Sequence, residues 1–235
     1  MRKPEHCQEW HKPPWTTTVS LQRLRCLPGF GIETRSQKKD KTTVLKAYQE
    51  RSSLRGLERT FSIARQQVSV WIQEHVQSLA PLQTTLLPAK PGDVLEFDEA
   101  WSFVLKKINQ RWLWTAICRR TRQIVAFVIG ERSEKACRRL WEKIPPAYRT
   151  ATLYSDFWKA YQKVLPQDQH QAVGKESGQT NHMERWYCTL RQRLARYVRK
   201  TLSFSKSDAF HHMVTKWYIY DYNFTIKKEL SPLTL

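Results

Sequence analysis

Three apolar segments lie close together in the middle of the chain and constrain its fold more than any other feature. Residues 93–104, 111–118 and 123–129 have the lengths and the β-branched and aromatic content of strands. Short polar stretches separate them, and a turn between Arg119 and Arg122 joins the second to the third. Three strands so close in sequence predict an antiparallel meander.

Helical and extended segments alternate after this meander. Ser133 has the character of a helix N-cap, and Pro145 stops the helix that follows. The predicted order is β-β-β-α-β-α-β-α, which is typical of a mixed α/β layer fold. The predicted elements after the meander are a helix over 133–144, a strand over 151–154, a helix over 158–165, a short strand or loop over 171–173 and a long helix from Asn181 to about Lys200.

Residues 43–79 have a helical pattern instead. Ser53 can cap the second of three short helices, and a break at 62–64 precedes the third. This pattern predicts a helix-turn-helix whose third helix reads DNA, although a plain three-helix bundle would give the same pattern. The residues predicted to contact bases are Arg65, Gln66, Gln67 and Ser69.

Proline and glycine divide the chain into four predicted parts. Residues 1–41 form an irregular segment, in which His6, Cys7, His11 and Cys26 lack the paired spacing of a structural zinc site. The other parts are a helix-turn-helix domain over 42–80, a linker over 81–92 with three prolines, and an α/β domain over 93–228.

The charge balance indicates a polyanionic partner. The chain has 40 Lys and Arg against 21 Asp and Glu, a formal net charge of +19, and enough apolar residues to build a core. Nucleic acid is the usual partner of so basic a globular protein. No apolar run approaches the ~18 residues of a membrane span and no signal peptide is apparent, so a cytoplasmic location without membrane contact is expected.

Three carboxylates in the α/β domain are candidates for chemistry. Asp98 lies inside the first apolar strand and shares a face with Glu96. In a central strand such a carboxylate would need a cation or a basic partner, whereas in an edge strand it would simply be solvated. Asp156 follows the fourth strand, where α/β sheets place active residues or where it could simply cap the next helix. Glu184 lies in the first turn of the last predicted helix, as a candidate ligand or as part of a capping box.

These three carboxylates together suit a divalent cation. Three converging carboxylates make an oxygen site for Mg²⁺ or Mn²⁺, and two such ions can catalyse phosphodiester chemistry. His182 is expected to bond locally rather than to touch the metal. The helix around Glu184 provides a cationic track for a phosphate backbone. The basic residues of this track are Arg185, Arg191, Arg193, Arg196, Arg199 and Lys200.

Several motifs resemble those of the bacterial insertion-sequence transposases of the DDE class, most closely the insertion sequence one family. The resemblance covers about residues 43–226. The motifs that carry it are LEFDEAW (95–101), QRWLW (110–114), YSDFWKAY (154–161), TNHMERW (180–186), LRQRLAR (190–196) and RKTLSFSKS (199–207).

This resemblance implies a ribonuclease H-like catalytic domain with Asp98, Asp156 and Glu184 as the metal-binding triad. Such enzymes cut transposon ends with water, and the freed 3′ hydroxyl attacks target DNA without a covalent protein–DNA intermediate. The resemblance also implies binding of double-stranded DNA at terminal inverted repeats and a homo-oligomer on DNA. Family members usually begin with a zinc finger, of which residues 1–41 would be a degenerate form.

Two other functions remain compatible with the residues alone. A transposase-derived regulator would bind DNA without cutting it. The absence of the family's usual zinc-finger pattern from residues 1–41 agrees with this alternative. A related nuclease would use the same metal site to hydrolyse DNA without joining it.

Overall fold

The computed structural model describes residues 41–198 and 200–231, apart from the side chain of Lys175. Residues 1–40 of the predicted irregular segment therefore lie outside the described residues, and Arg199 does too. The helices are α1 (Lys41–Gln49), α2 (Leu54–Phe61), α3 (Arg65–Ser78), α4 (Glu134–Lys143), α5 (Lys159–Val164), α6 (Asn181–Arg193) and α7 (Asp208–Leu230). The strands are β1 (Val94–Phe103), β2 (Gln110–Cys118), β3 (Ile124–Gly130), β4 (Thr152–Ser155) and β5 (His170–Ala172).

The five strands form one mixed sheet in the order β3-β2-β1-β4-β5. The first three strands pair antiparallel, as the predicted meander requires, whereas β4 pairs parallel to β1 and β5 pairs parallel to β4. Helices cover both faces of the sheet. This arrangement confirms the mixed α/β prediction and fits a ribonuclease H-like fold.

Local capping explains where several helices begin and end. The side chains of Ser53 and Ser133 accept hydrogen bonds from backbone N–H groups in the first turns of α2 and α4, as predicted. The break between α2 and α3 contains no glycine. Instead Ser62 adopts the left-handed conformation, with φ of 54°, and ends α2.

Two hydrophobic clusters lie on opposite faces of the sheet. One contains the buried side chains of α1–α3, α6 and α7 together with Leu113 and Ile117 of β2. The other joins β1–β3 to α4 and α5. Because α1–α3 share a core with the sheet, the predicted boundary over 81–92 does not coincide with a break in packing. Residues 41–198 and 200–231 belong to one compact unit.

A buried polar network fixes this boundary segment against the sheet. The amide of Gln123 donates to the Thr85 carbonyl at 2.8 Å and accepts from the Leu87 N–H at 2.9 Å. Asn223 on α7 bonds both backbone groups of Ile124, at 2.8 and 2.9 Å. Such fully paired amides favour one arrangement of strand, helix and boundary segment.

The C-terminal part of the chain differs from the prediction. Helix α6 ends at Arg193 instead of about Lys200, and a short 3₁₀ turn follows over Ala195–Tyr197. The sequence interpretation placed no helix after this point, yet α7 has 23 residues and is the longest described helix. None of the described helices is long and apolar enough to cross a membrane.

Candidate active site

The spacing of the first two candidate carboxylates matches the register of their strands. Strands β1 and β4 pair in parallel, with Val94 opposite Thr152 and Glu96 opposite Tyr154. Each pair differs by 58 positions, as do Asp98 and Asp156. Continued by two residues, the register places the two aspartates side by side at the carboxyl end of β4, where α/β sheets commonly bind ligands.

Backbone donors orient both aspartates. One carboxylate oxygen of Asp98 accepts the Glu99 N–H at 2.7 Å, and one of Asp156 accepts the Trp158 N–H at 3.0 Å. Both side chains are half-buried. Although Asp156 has a turn-forming role, the α5 N-cap is Trp158, which makes no side-chain cap bond. The hydrogen bond of the Asp156 carboxylate therefore forms a turn just before α5 and leaves its other oxygen without a described hydrogen bond.

The third carboxylate lies on α6, which packs on the same sheet face as Asp98. The Tyr187 hydroxyl contacts the Asp98 carbonyl at 2.9 Å and the Leu113 carbonyl at 3.2 Å, which fastens this helix across β1 and β2. Glu184 lies one turn before Tyr187 and is exposed. Its charge contributes to raising the pKa of Asp98, so Glu184 lies within electrostatic range of that aspartate.

The electrostatics of Asp98 are those of a crowded anionic site. Its pKa is raised from 3.8 to about 7, first by burial and then by the charge of Glu99, with smaller contributions from Asp156 and Glu184. None of Asp98, Asp156 and Glu184 forms an ion pair with a described Lys, Arg or His. A divalent cation would relieve this repulsion.

This raised pKa predicts a pH-dependent gain in stability for Asp98→Asn. Because the folded protein holds the proton more tightly than the unfolded chain, ionised Asp98 lowers stability as pH rises from about 4 through 7. Asparagine cannot ionise but can still accept the Glu99 N–H. In metal-free buffer, we expect the variant to match the wild type near pH 4 and to exceed its free energy of unfolding by roughly 2–4 kcal/mol at about pH 8.

Urea unfolding at several pH values measures this difference. Asp168→Asn, which removes an exposed carboxylate outside the site, is the matched control. A difference for Asp98→Asn that stays constant across this range would contradict the electrostatic account of the site.

Glu96 has a structural role at this site that the sequence interpretation did not assign. Its side chain is fully buried, and one oxygen contacts both Arg119 Nε at 2.9 Å and His182 Nδ1 at 2.5 Å. The other oxygen accepts the Met183 N–H at 3.2 Å. Arg119 also donates to the Gln179 carbonyl at 2.7 Å. These contacts attach the first turn of α6, which includes Glu184, to β1.

The prediction that His182 bonds locally is therefore wrong, since its partner is 86 positions away. The shared face of Glu96 and Asp98 was visible in the sequence. Nothing in the sequence pointed to Arg119 and His182 as the groups that meet Glu96.

Glu99 lies next to Asp98 but serves the opposite face of the sheet. Its carboxylate accepts the Tyr161 hydroxyl at 2.7 Å and forms an ion pair with Arg132 at 2.6 Å. Tyr161 belongs to the hydrophobic cluster with α4 and α5. Because both of its oxygens have strong partners, Glu99 is a poorer candidate for a cation ligand than Asp98.

The donor set fits Mg²⁺ or Mn²⁺ in its chemistry, although its atoms are not already gathered. Across residues 41–198 and 200–231, no group of three His, Cys, Asp or Glu is close enough to hold a metal ion as it stands. Asp98 and Asp156 are positioned by paired strands, whereas exposed Glu184 has rotational freedom to approach them. Carboxylate oxygens are the ligands these hard cations prefer.

The structure places the predicted DNA-contacting residues of α3 at its first turns. Gln66 and Gln67 are exposed, Arg65 is half-buried and paired with Glu58 at 2.9 Å, and the Ser69 hydroxyl donates to the Arg65 carbonyl at 2.9 Å. The two glutamines are therefore accessible to a ligand.

The described basic residues predicted after Glu184 differ in their surroundings. Arg185 and Lys200 are exposed, Arg191 lies over the Tyr187 ring, and Arg193 pairs with Glu50. The helix ends before Arg196, which turns inward and is 8% exposed. The predicted helix to about Lys200 is therefore wrong at its end, and Arg196 does not lie on a continuation of α6.

Comparisons with known proteins identify the family of this chain. A family model described as IS1 transposase matches residues 94–225, more than half of the chain, and this range includes all three candidate carboxylates. The insertion element iso-IS1n protein InsB of Shigella dysenteriae is 38% identical over 126 residues, which are 54% of this chain and 93% of that protein. The insertion element IS1 4 protein InsB of Escherichia coli K12 is 36% identical over 146 residues, 61% of this chain and 85% of that protein.

Proposed function

This chain belongs to the IS1 transposase family, and we propose that it catalyses DNA strand cleavage and strand transfer at the ends of an insertion sequence. In this proposal Asp98, Asp156 and Glu184 hold Mg²⁺ or Mn²⁺, with two ions bound. The substrate is double-stranded DNA, first at the terminal inverted repeats and then at a target.

One observation carries the proposal. In a chain with a net charge of +19, the carboxylates of Asp98, Asp156 and Glu184 lack a described cationic partner, and the first two are positioned by paired central strands. Keeping uncompensated carboxylates together is unfavourable, as the raised pKa of Asp98 reflects. A site that binds divalent cations during function accounts for their presence.

The chain's own residues then have separate tasks. Asp98 and Asp156 present oxygens from a rigid sheet, and Glu184 completes the ligand set from α6. When bound, the cations would activate the attacking oxygen and stabilise the leaving oxygen of the phosphodiester. Water breaks the bond to the 3′ oxygen at the element end, and the freed 3′ hydroxyl next displaces a 3′ oxygen in the target strand.

DNA recognition is proposed for the helix pair α2–α3. The two helices are separated by three residues, and α3 exposes Gln66 and Gln67 near its start. Glutamine side chains can form paired hydrogen bonds with adenine in the major groove. Exposed Arg185, which follows Glu184, and exposed Lys200 are proposed to contact the phosphate backbone.

An assay on a supercoiled plasmid tests this function. The plasmid carries the two terminal sequences of the element that encodes the chain, and the matched control plasmid carries scrambled ends. With Mg²⁺ we expect cleavage at the true ends and joining of the 3′ ends to new DNA, and EDTA should abolish both.

The other candidate functions give different products. Cleavage without joining would identify a nuclease. Binding to the ends without cleavage, at any divalent cation concentration, would identify a regulator. Either result would contradict the proposal.

A further inference from the structure

A second candidate site lies away from the three carboxylates. A cleft of about 800 Å³ opens between α2, the start of α3 and residues 202–207, which lead into α7. Its walls include four cationic side chains besides Arg196, and no Asp or Glu is among its lining residues. These four cations are Arg55, Arg59, Arg65 and Lys206.

Arg196 lies at the wall of this cleft and is only 8% exposed. Its guanidinium donates to the Ser205 hydroxyl at 2.7 Å and to the Tyr48 hydroxyl, and it lies 5.3 Å from the centre of the Phe210 ring. All three partners are neutral, and Arg196 forms no ion pair with a described carboxylate.

A buried guanidinium without a counter-charge is costly to maintain. Hydroxyls and an aromatic ring reduce this cost but supply no negative charge. Since Arg196 lines an open cleft, an anion entering the cleft could approach it. The burial of Arg196 therefore points to a ligand that carries negative charge.

The rim of the cleft also carries positive charges without a described counter-charge. Arg55, Arg59 and Lys206 are exposed and make no ion pair with a described carboxylate, whereas Arg65 is paired with Glu58. The unpaired cations come from both sides of the opening, two from α2 and one from the segment before α7. A ligand with several spaced negative charges would contact both sides at once.

We infer that this cleft binds the phosphodiester backbone of DNA, with Arg196 as the buried counter-charge. The inference rests on the proposed function for the identity of the polyanion. Gln66, which is proposed to contact bases, lines the same cleft. Residues 202–207 and the helix pair α2–α3 thus form one DNA-binding surface, in which the segment before α7 contacts phosphates.

A double variant at the rim tests the inference. Arg55→Ala/Lys206→Ala removes two exposed charges, and Lys135→Ala/Arg139→Ala removes two from α4 on the other face of the sheet. Binding of a fluorescent duplex of about 30 base pairs is measured by anisotropy between about 50 and 200 mM NaCl with EDTA. We expect the rim variant to lose about tenfold in affinity and its log–log salt slope to flatten by roughly 2.

The control double variant should bind within about twofold of the wild type, because its charges lie outside the cleft. Equal affinity and equal slope for the rim and control variants would overturn the inference. An equal loss in both would also overturn it, since the effect would then follow net charge alone.

A second measurement addresses the buried arginine and separates a free anion from a backbone. Inorganic phosphate, titrated at constant ionic strength, should raise the melting temperature of the wild type but not that of Arg196→Met. Protection of the wild type by phosphate together with unchanged DNA binding by the rim variant would mean a small-anion site and would overturn the backbone assignment. If Arg196→Met does not fold, the rim variant decides alone.

These outcomes are independent of catalysis. A wild type that binds DNA through the cleft but never cuts it would contradict the proposed function and leave the cleft assignment intact. A wild type that cuts and joins DNA, with a rim variant that binds like the control, would support the proposed function and contradict the cleft assignment.

Discussion

Asp98→Asn, Asp156→Asn and Glu184→Gln should each reduce strand cleavage by about 10³-fold or more, because each removes an anionic ligand from a site with no described substitute. The changes are nearly isosteric, and an asparagine at either aspartate position can still accept the backbone N–H group that orients the native side chain. Cleavage of an end-containing duplex in Mg²⁺ is the measurement.

Binding distinguishes this loss from misfolding. In EDTA, each variant should bind the same duplex within about twofold of the wild type or slightly more tightly, since one negative charge near the DNA is removed. Asp168→Asn, which removes an exposed carboxylate outside the candidate site, is the control for the loss of one negative charge. Retained cleavage in all three site variants would eliminate the assignment.

Glu96→Ala is expected to have the second largest effect, although Glu96 is not proposed to touch substrate. The change removes the acceptor shared by Arg119, His182 and the Met183 N–H, and should lower the free energy of unfolding by about 3–5 kcal/mol. Because Glu184 lies on the helix turn that these contacts attach, cleavage should fall by about 10–100-fold in molecules that remain folded.

Asp93→Ala provides the comparison for Glu96→Ala. Asp93 is also buried and is paired with Arg120 at 2.6 Å, but it precedes β1 and makes its contacts away from α6. This variant should lose comparable stability and keep its cleavage rate at a temperature where both variants are folded. Glu96→Gln should recover part of the cleavage by accepting the Met183 N–H, and a higher Mg²⁺ requirement in Glu96→Ala would mark a positioning role. Equal cleavage in the Glu96 and Asp93 variants would refute that role.

Local signals account for the parts of the fold that the sequence predicted. Ser53 and Ser133 are N-caps whose side chains bond within their own first turns, so these helix starts are encoded by a few neighbouring residues. The alternation along β1 places Asp98 and Glu96 on one face. Asp98 and Asp156 are 58 positions apart, which is the same offset that the register of β1 and β4 shows. The sequence alone does not give this register, so it could not place the two aspartates side by side.

Non-local packing decides the parts that the sequence did not predict. Helix α7 carries buried residues on more than one side, including Val214, Trp217, Ile219 and Asn223, and so lacks the single apolar stripe that marks a surface helix. The end of α6 at Arg193 is accompanied by Arg196 turning toward Tyr48 and Ser205, which are contributed by other parts of the chain.

Glu96 illustrates the same limit at the candidate site. Its partners Arg119 and His182 lie 23 and 86 positions away, so their convergence requires the complete sheet and α6. The acidic residues could be selected from spacing and burial pattern. The role of Glu96 in attaching the helix turn that carries Glu184 to β1 could not be predicted in this way.

Anomalous scattering from crystals soaked in MnCl₂ tests the central claim most directly, because it locates the cation independently of any activity. A Mn²⁺ peak bounded by the carboxylates of Asp98 and Asp156, with Glu184 turned toward it, is the expected result. It should disappear in crystals of Asp156→Asn. Saturating Mn²⁺ that leaves these carboxylates without a peak, or that binds only elsewhere on the protein, would contradict the account.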